Sequence, residues 1–181
     1  MAISSKSKPR ACRALYAGLL VGVFAYGAQA EDVYQDPRTF LEETFGGSVP
    51  APRKLWVTSV LKRDIKAIMG HDLGALRIRY WSSGERTAWL LDDIGKEQPI
   101  TTGLIVDAHQ LTDMRVLIYR ESRGWEVKYP AFTDQFRGAQ LNADLALDHS
   151  IDGVAGATLS VQALIRLARL ALLLDRSIEP G

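Results

Sequence analysis

Apolar and polar positions alternate along Leu76-Arg77-Ile78-Arg79-Tyr80, the period-two pattern of a strand with one buried face. Ser82-Ser83-Gly84-Glu85 then reads as a turn, and Thr87 to Leu91 as a returning strand that carries Trp89. Ile100–Val106 and Met114–Tyr119 continue the pattern through the short connection Asp107-Ala108-His109-Gln110. Connections this short join antiparallel neighbours, so the middle of the chain predicts a meander of about four strands. Helical spacing brackets it. Asp36-Pro37 predicts an N-cap with proline at the first helical position, opening a short helix to Phe45. Gly46 to Pro52 breaks that helix, and Lys54–Val57 reads as a short strand. A second helix is expected from a Ser59 cap to Met69, with Val60, Ile65 and Ile68 on its apolar face and Gly70 as its stop. Pro130–Phe136 suggests a helical turn ending at Gly138. Leu159–Leu174 is apolar nearly all round except for Arg166 and Arg169, as expected of a buried packing helix. The class is α+β, an antiparallel meander packed against helices with a long C-terminal helix.

Composition narrows what such a fold can do. The 181 residues are 47% hydrophobic and 24% charged, enough for one domain with a real core. The first 30 residues hold Lys6, Lys8, Arg10 and Arg13 and no acid, then the apolar run Leu15–Gly27 and Ala28-Gln29-Ala30. That order predicts a secretory signal peptide over 1–30 and a periplasmic protein starting at Glu31. An uncleaved membrane anchor is the other reading of the same segment. Cleavage removes four of the 22 bases and none of the 21 acids, leaving a net charge of −3, which does not suit nucleic acid. Cys12, the only cysteine, precedes the apolar run, so the exported chain has no thiol for disulfides, thiol catalysis or iron–sulfur ligation. His71, His109 and His149 lack metal-ligand spacing and read as surface or turn residues. Asp92-Asp93 and Glu42-Glu43 read as solvated faces. No hydrolase elbow, Walker loop or dinucleotide fingerprint occurs, and no catalytic or metal-binding residue is expected.

The informative stretch is Asp152-Gly153-Val154-Ala155-Gly156-Ala157-Thr158-Leu159-Ser160. The first turn of the long helix lacks the Asp or Glu that usually complements the dipole, while Arg166, Arg169 and Arg176 follow later. Small residues at Gly156 and Ala157 admit an anion to the free N–H groups of that turn. Taken alone, the residues also allow Thr158 or Ser160 to be an ordinary N-cap. The stretch resembles the D-x-x-[ST]-G-A-T flavinylation motif of the FMN-binding domain family, with Ala155 where Ser or Thr is usual. Members occur in subunits of the sodium-translocating NADH:quinone reductase and Rnf complexes and as small exported proteins. Tyr119-Arg120-Glu121-Ser122-Arg123-Gly124-Trp125 is similar to the family's H-x-E-T-P-G-L segment, with Arg123 in place of proline. The resemblance spans roughly 73–175 and implies a division into a helical segment, 31–72, and an FMN-binding domain, 73–181.

That resemblance implies a cofactor, FMN, attached to Thr158 through a phosphoester by a separate Mg-dependent flavin transferase that uses FAD. It explains why no general base accompanies the threonine. The implied binding set is Thr158, Glu121, Ser122, Gly124, Trp125, Gly156, Ala157, Leu159, Ser160 and Asp152, with Trp125 stacking on the flavin ring or serving as a core aromatic. The expected function is an exported electron carrier, rather than a stand-alone enzyme, whose partners are the transferase and membrane-bound redox proteins. The alternatives are a flavin-dependent reductase subunit acting on a small substrate and a non-redox binding module that has lost the flavin.

Overall fold

The structure is a computed structural model and describes residues 32–178. The expected signal peptide, 1–30, and its expected cleavage site lie outside the described residues. Among the described residues six antiparallel strands run β1 (Asp32–Val33), β2 (Arg53–Trp56), β3 (Arg77–Ser83), β4 (Arg86–Ile94), β5 (Pro99–Asp107) and β6 (Gln110–Tyr119). Their order across the sheet is β1-β6-β5-β4-β3-β2, so β2 to β6 form a continuous meander and β1 closes the far edge. The two strands outside the expected four-strand meander are thus the edge strands: β2 is the short strand read at Lys54–Val57, and β1 was not expected. β1 has only two residues, which pair with Tyr119 and Ile118, and a pair of residues has no periodicity to read.

Turn chemistry sets the register. β3 and β4 pivot about Gly84, and Ser83 pairs with Arg86. At the β5–β6 hairpin Asp107 pairs with Gln110, and Ala108 and His109 both take positive φ (48° and 63°). Two left-handed residues give the turn the twist the strands require. Neither is glycine, so the turn holds backbone strain.

Helices cover both faces. α1 (Pro37–Thr44) is capped by Asp36, whose carboxylate accepts from the Arg38 and Thr39 N–H groups. Its Phe40 and Leu41 pack with Trp81, Ala88, Ile105 and Leu117 on one face of the sheet. Phe40 lies so close to β5 that a Cβ on Gly103 would sit 2.7 Å from the ring, so the glycine is what admits the helix. The other face holds the larger core, beneath α2 (Ser59–Met69) and α4 (Thr158–Arg176). Two details of α2 differ from expectation. Thr58 is the cap, its hydroxyl accepting from the Leu61 N–H at 3.2 Å, and Leu61 replaces Val60 on the buried face. The 31–72 segment therefore supplies both edge strands and a helix to each face. Between β6 and α4 lie 3-10 turns at Trp125–Lys128 and Asp134–Phe136, separated by α3 (Pro130–Thr133).

Polar groups tie α4 to the sheet. Asp93, expected on a solvated face, is buried and accepts from Arg166 Nε at 2.7 Å. The polar stripe on α4 thus has a partner rather than a solvent face. Asp175, also buried, accepts from the Thr87 hydroxyl at 2.6 Å and meets His109 Nδ1 at 2.7 Å. No helix among the described residues is long and apolar enough to cross a membrane.

Candidate functional site

The mouth of α4 is built from backbone. Its N-cap is Ala157, with φ −117° and no side-chain cap, and the first turn has no acid. Neither Thr158 nor Ser160 caps the helix, so the ordinary N-cap alternative does not hold. The first helical bond joins the Val161 N–H to the Ala157 carbonyl at 2.9 Å. The N–H groups of Thr158, Leu159 and Ser160 are left without a backbone acceptor among the described residues, as helix geometry requires. The Thr158 hydroxyl also has no partner there, and the residue is exposed. Ser160 is the opposite case. It is buried, and its Oγ lies 3.0 Å from the Tyr119 hydroxyl.

A second wall comes from the loop after β6. Gly124 adopts φ +81°, and a Cβ there would lie 3.0 Å from both the Ala157 Cβ and the Tyr119 hydroxyl. Only glycine allows this loop to rest against the helix mouth. Tyr119 fastens the contact, because its hydroxyl donates to the Arg123 carbonyl at 2.6 Å while meeting Ser160. Burial pushes the Tyr119 phenol above its ordinary range, against the opposing effect of the Ser160 hydrogen bond, so it stays a donor.

The third wall was not anticipated. Glu121 Oε1 accepts from three successive N–H groups of the β4–β5 loop, Lys96 at 2.5 Å, Glu97 at 2.7 Å and Gln98 at 3.0 Å. Burial works to raise the Glu121 pKa, but the three backbone N–H groups outweigh it and hold the carboxyl below the usual range. Its carboxylate is thus an anchor for the loop. The segment between the expected strands Thr87–Leu91 and Ile100–Val106 carries no sequence signal for a partner 25 residues away.

These three loops enclose a cleft of about 600 Å³, within the size range of small-molecule sites. Of the ten expected residues, Glu121, Ser122, Gly156, Ala157, Thr158, Leu159 and Ser160 line it, joined by Lys96, Glu97 and Arg123. Gly124 stands behind the lining as a packing contact. Trp125 is outside that lining and is not a core aromatic: 43% exposed, it meets Tyr129 edge-on at 5.8 Å with Lys128 over its ring. Asp152 is exposed and also outside, with its N–H bonded to the Gln135 side chain at 2.7 Å. A smaller cleft of about 380 Å³ beside Thr44 and Arg86 holds none of the expected residues.

Residues 95–173 match the FMN-binding domain family. The chain carries an FMN-binding domain. The match takes in all three loops of the cleft, and is narrower at its start than the 73–175 resemblance. β1 to β4 and the first two helices precede it. No curated protein and no solved structure matches the chain. The donor set fits the domain's cofactor: three free N–H groups and an unpartnered hydroxyl at a helix N-terminus suit a phosphate, and the adjoining cleft has room for a ring system.

Proposed function

We propose that this protein is an exported electron carrier whose FMN is joined to Thr158 through a phosphoester. The observation that carries the reading is the division between two neighbouring hydroxyls. Thr158 is exposed and unpartnered on a cleft of the FMN-binding domain, whereas Ser160 is buried and bonded to Tyr119. No residue beside Thr158 serves as its base, so activation falls to a separate Mg-dependent transferase acting on FAD. In that transfer the Thr158 oxygen forms a bond to the FMN phosphorus, the pyrophosphate bond breaks, AMP leaves, and the hydroxyl proton passes to the transferase. The flavin, when bound, supplies the redox chemistry. The N–H groups of Thr158, Leu159 and Ser160 would hold the phosphate, with the Glu121-anchored loop shaping the opposite wall of the cleft.

 

Mass spectrometry tests the covalent attachment and the cleavage. Intact mass of the protein from cells that contain the transferase should correspond to a chain starting at Glu31 plus one FMN. Tandem mass spectrometry should then place the group on Thr158, and Thr158→Ala should abolish it. An unmodified chain despite an active transferase would sink covalent attachment, and a chain starting at Met1 would sink cleavage.

A further inference from the structure

The cleft is lined by four charged residues, and three of them are already engaged. Glu121 is held by three N–H groups, and Lys96 Nζ pairs with Glu97 at 3.1 Å. Arg123 is the fourth. Its guanidinium has no hydrogen bond or ion pair among the described residues, and the residue is exposed on the cleft. Its backbone, by contrast, is fixed. The carbonyl accepts from Tyr119, the same hydroxyl meets Ser160, and the next residue, Gly124, rests against Ala157. A free cation is thus tied by its own main chain to the first turn of α4, beside Thr158.

We infer that Arg123 supplies the counter-charge for the phosphoryl group of the flavin bound at Thr158. The inference rests on the reading of Thr158 given above, and it concerns a residue where the family's segment has proline. An anion at the helix mouth already meets three N–H donors, and a guanidinium adds the charge that those dipoles lack. Arginine presents paired donors in a fixed fork that matches phosphate oxygens, which lysine does not reproduce.

The test uses the full chain made without the transferase, with free FMN and riboflavin as probes and flavin fluorescence as the readout. The two flavins differ only in the phosphate. The wild-type protein should bind FMN more tightly than riboflavin, and added salt should narrow the difference. Arg123→Ala should weaken FMN by about tenfold, leave riboflavin unchanged and remove most of the salt dependence. Arg123→Lys should recover part of the loss. A wild-type protein without preference for FMN overturns the inference, as does an Arg123→Ala protein that keeps the preference or loses both flavins equally. None of these readouts needs the covalent bond, so failure of Thr158 modification is scored separately by mass.

Discussion

Two positions apart on one helix turn, Thr158 and Ser160 have opposite surroundings, and each surrounding dictates a different result on truncation. Thr158→Ala should remove covalent flavin at little cost to the fold. A lost N-cap would cost about 1 kcal/mol, but Thr158 makes no capping bond and is exposed, so the change in urea denaturation should stay within about 0.5 kcal/mol. A second residue-scale expectation concerns Thr102. It is fully buried on β5, and its hydroxyl has no partner among the described residues. Thr102→Val keeps the shape and removes an unsatisfied polar group, so it should stabilise the protein by about 1 kcal/mol. A lower denaturation midpoint in that variant would show that the hydroxyl is satisfied in solution. At this scale the sequence is readable where chemistry is local. The Thr158 motif is contiguous, whereas the burial of Ser160 depends on Tyr119, 41 residues away. Asp93 has the same lesson, since the arginine that makes its burial tolerable lies on α4.

At the scale of elements, the site is three loops that hold one another. Glu121 reaches from the loop after β6 to the loop before β5, so its removal should loosen a wall of the cleft. Glu121→Ala forfeits three charge-assisted hydrogen bonds, an expected loss of about 2 kcal/mol. Glu121→Gln keeps an acceptor and should fall between. Amide exchange at Lys96, Glu97 and Gln98 reports the effect directly, and unchanged protection in the alanine variant would refute the anchoring role. The pH dependence has a definite sign. The folded carboxyl is held below its ordinary range, so the anchoring contribution is complete above the unfolded pKa and is lost as pH falls through the lowered folded value. Protection of the same three amides should therefore fall in acid. Elements with several turns or alternating positions were legible: the meander, α1 with its Asp36 cap, and α4 all follow from pattern and caps. The phase of α2 was not, because Val60 and Leu61 are both apolar and only the facing core distinguishes them.

For the whole molecule, the question is whether the flavin domain can stand without the residues before it. The matched stretch, 95–173, contains the cleft but only two strands of the sheet. A chain starting at residue 73 would restore β3 and β4 yet still lack both edge strands and both N-terminal helices. Phe40 and Leu41 cover one face of the sheet, and Leu61, Ile65, Ile68 and Met69 belong to the main core with α4. Burying a side chain of this kind stabilises by about 1.5–3 kcal/mol, so six of them together match the roughly 5–15 kcal/mol that keeps a domain folded. Removing them would also leave Gly103 facing solvent where Phe40 now lies, and would bare the outer edge of β3. A 73–178 fragment is therefore expected to lack a cooperative unfolding transition, and with it the docking of α4 that forms the mouth of the cleft. Circular dichroism during thermal unfolding, compared with a 32–178 chain, checks this. A sharp transition in the shorter fragment, with FMN still bound, would mean that the sheet and α4 alone suffice to build the site.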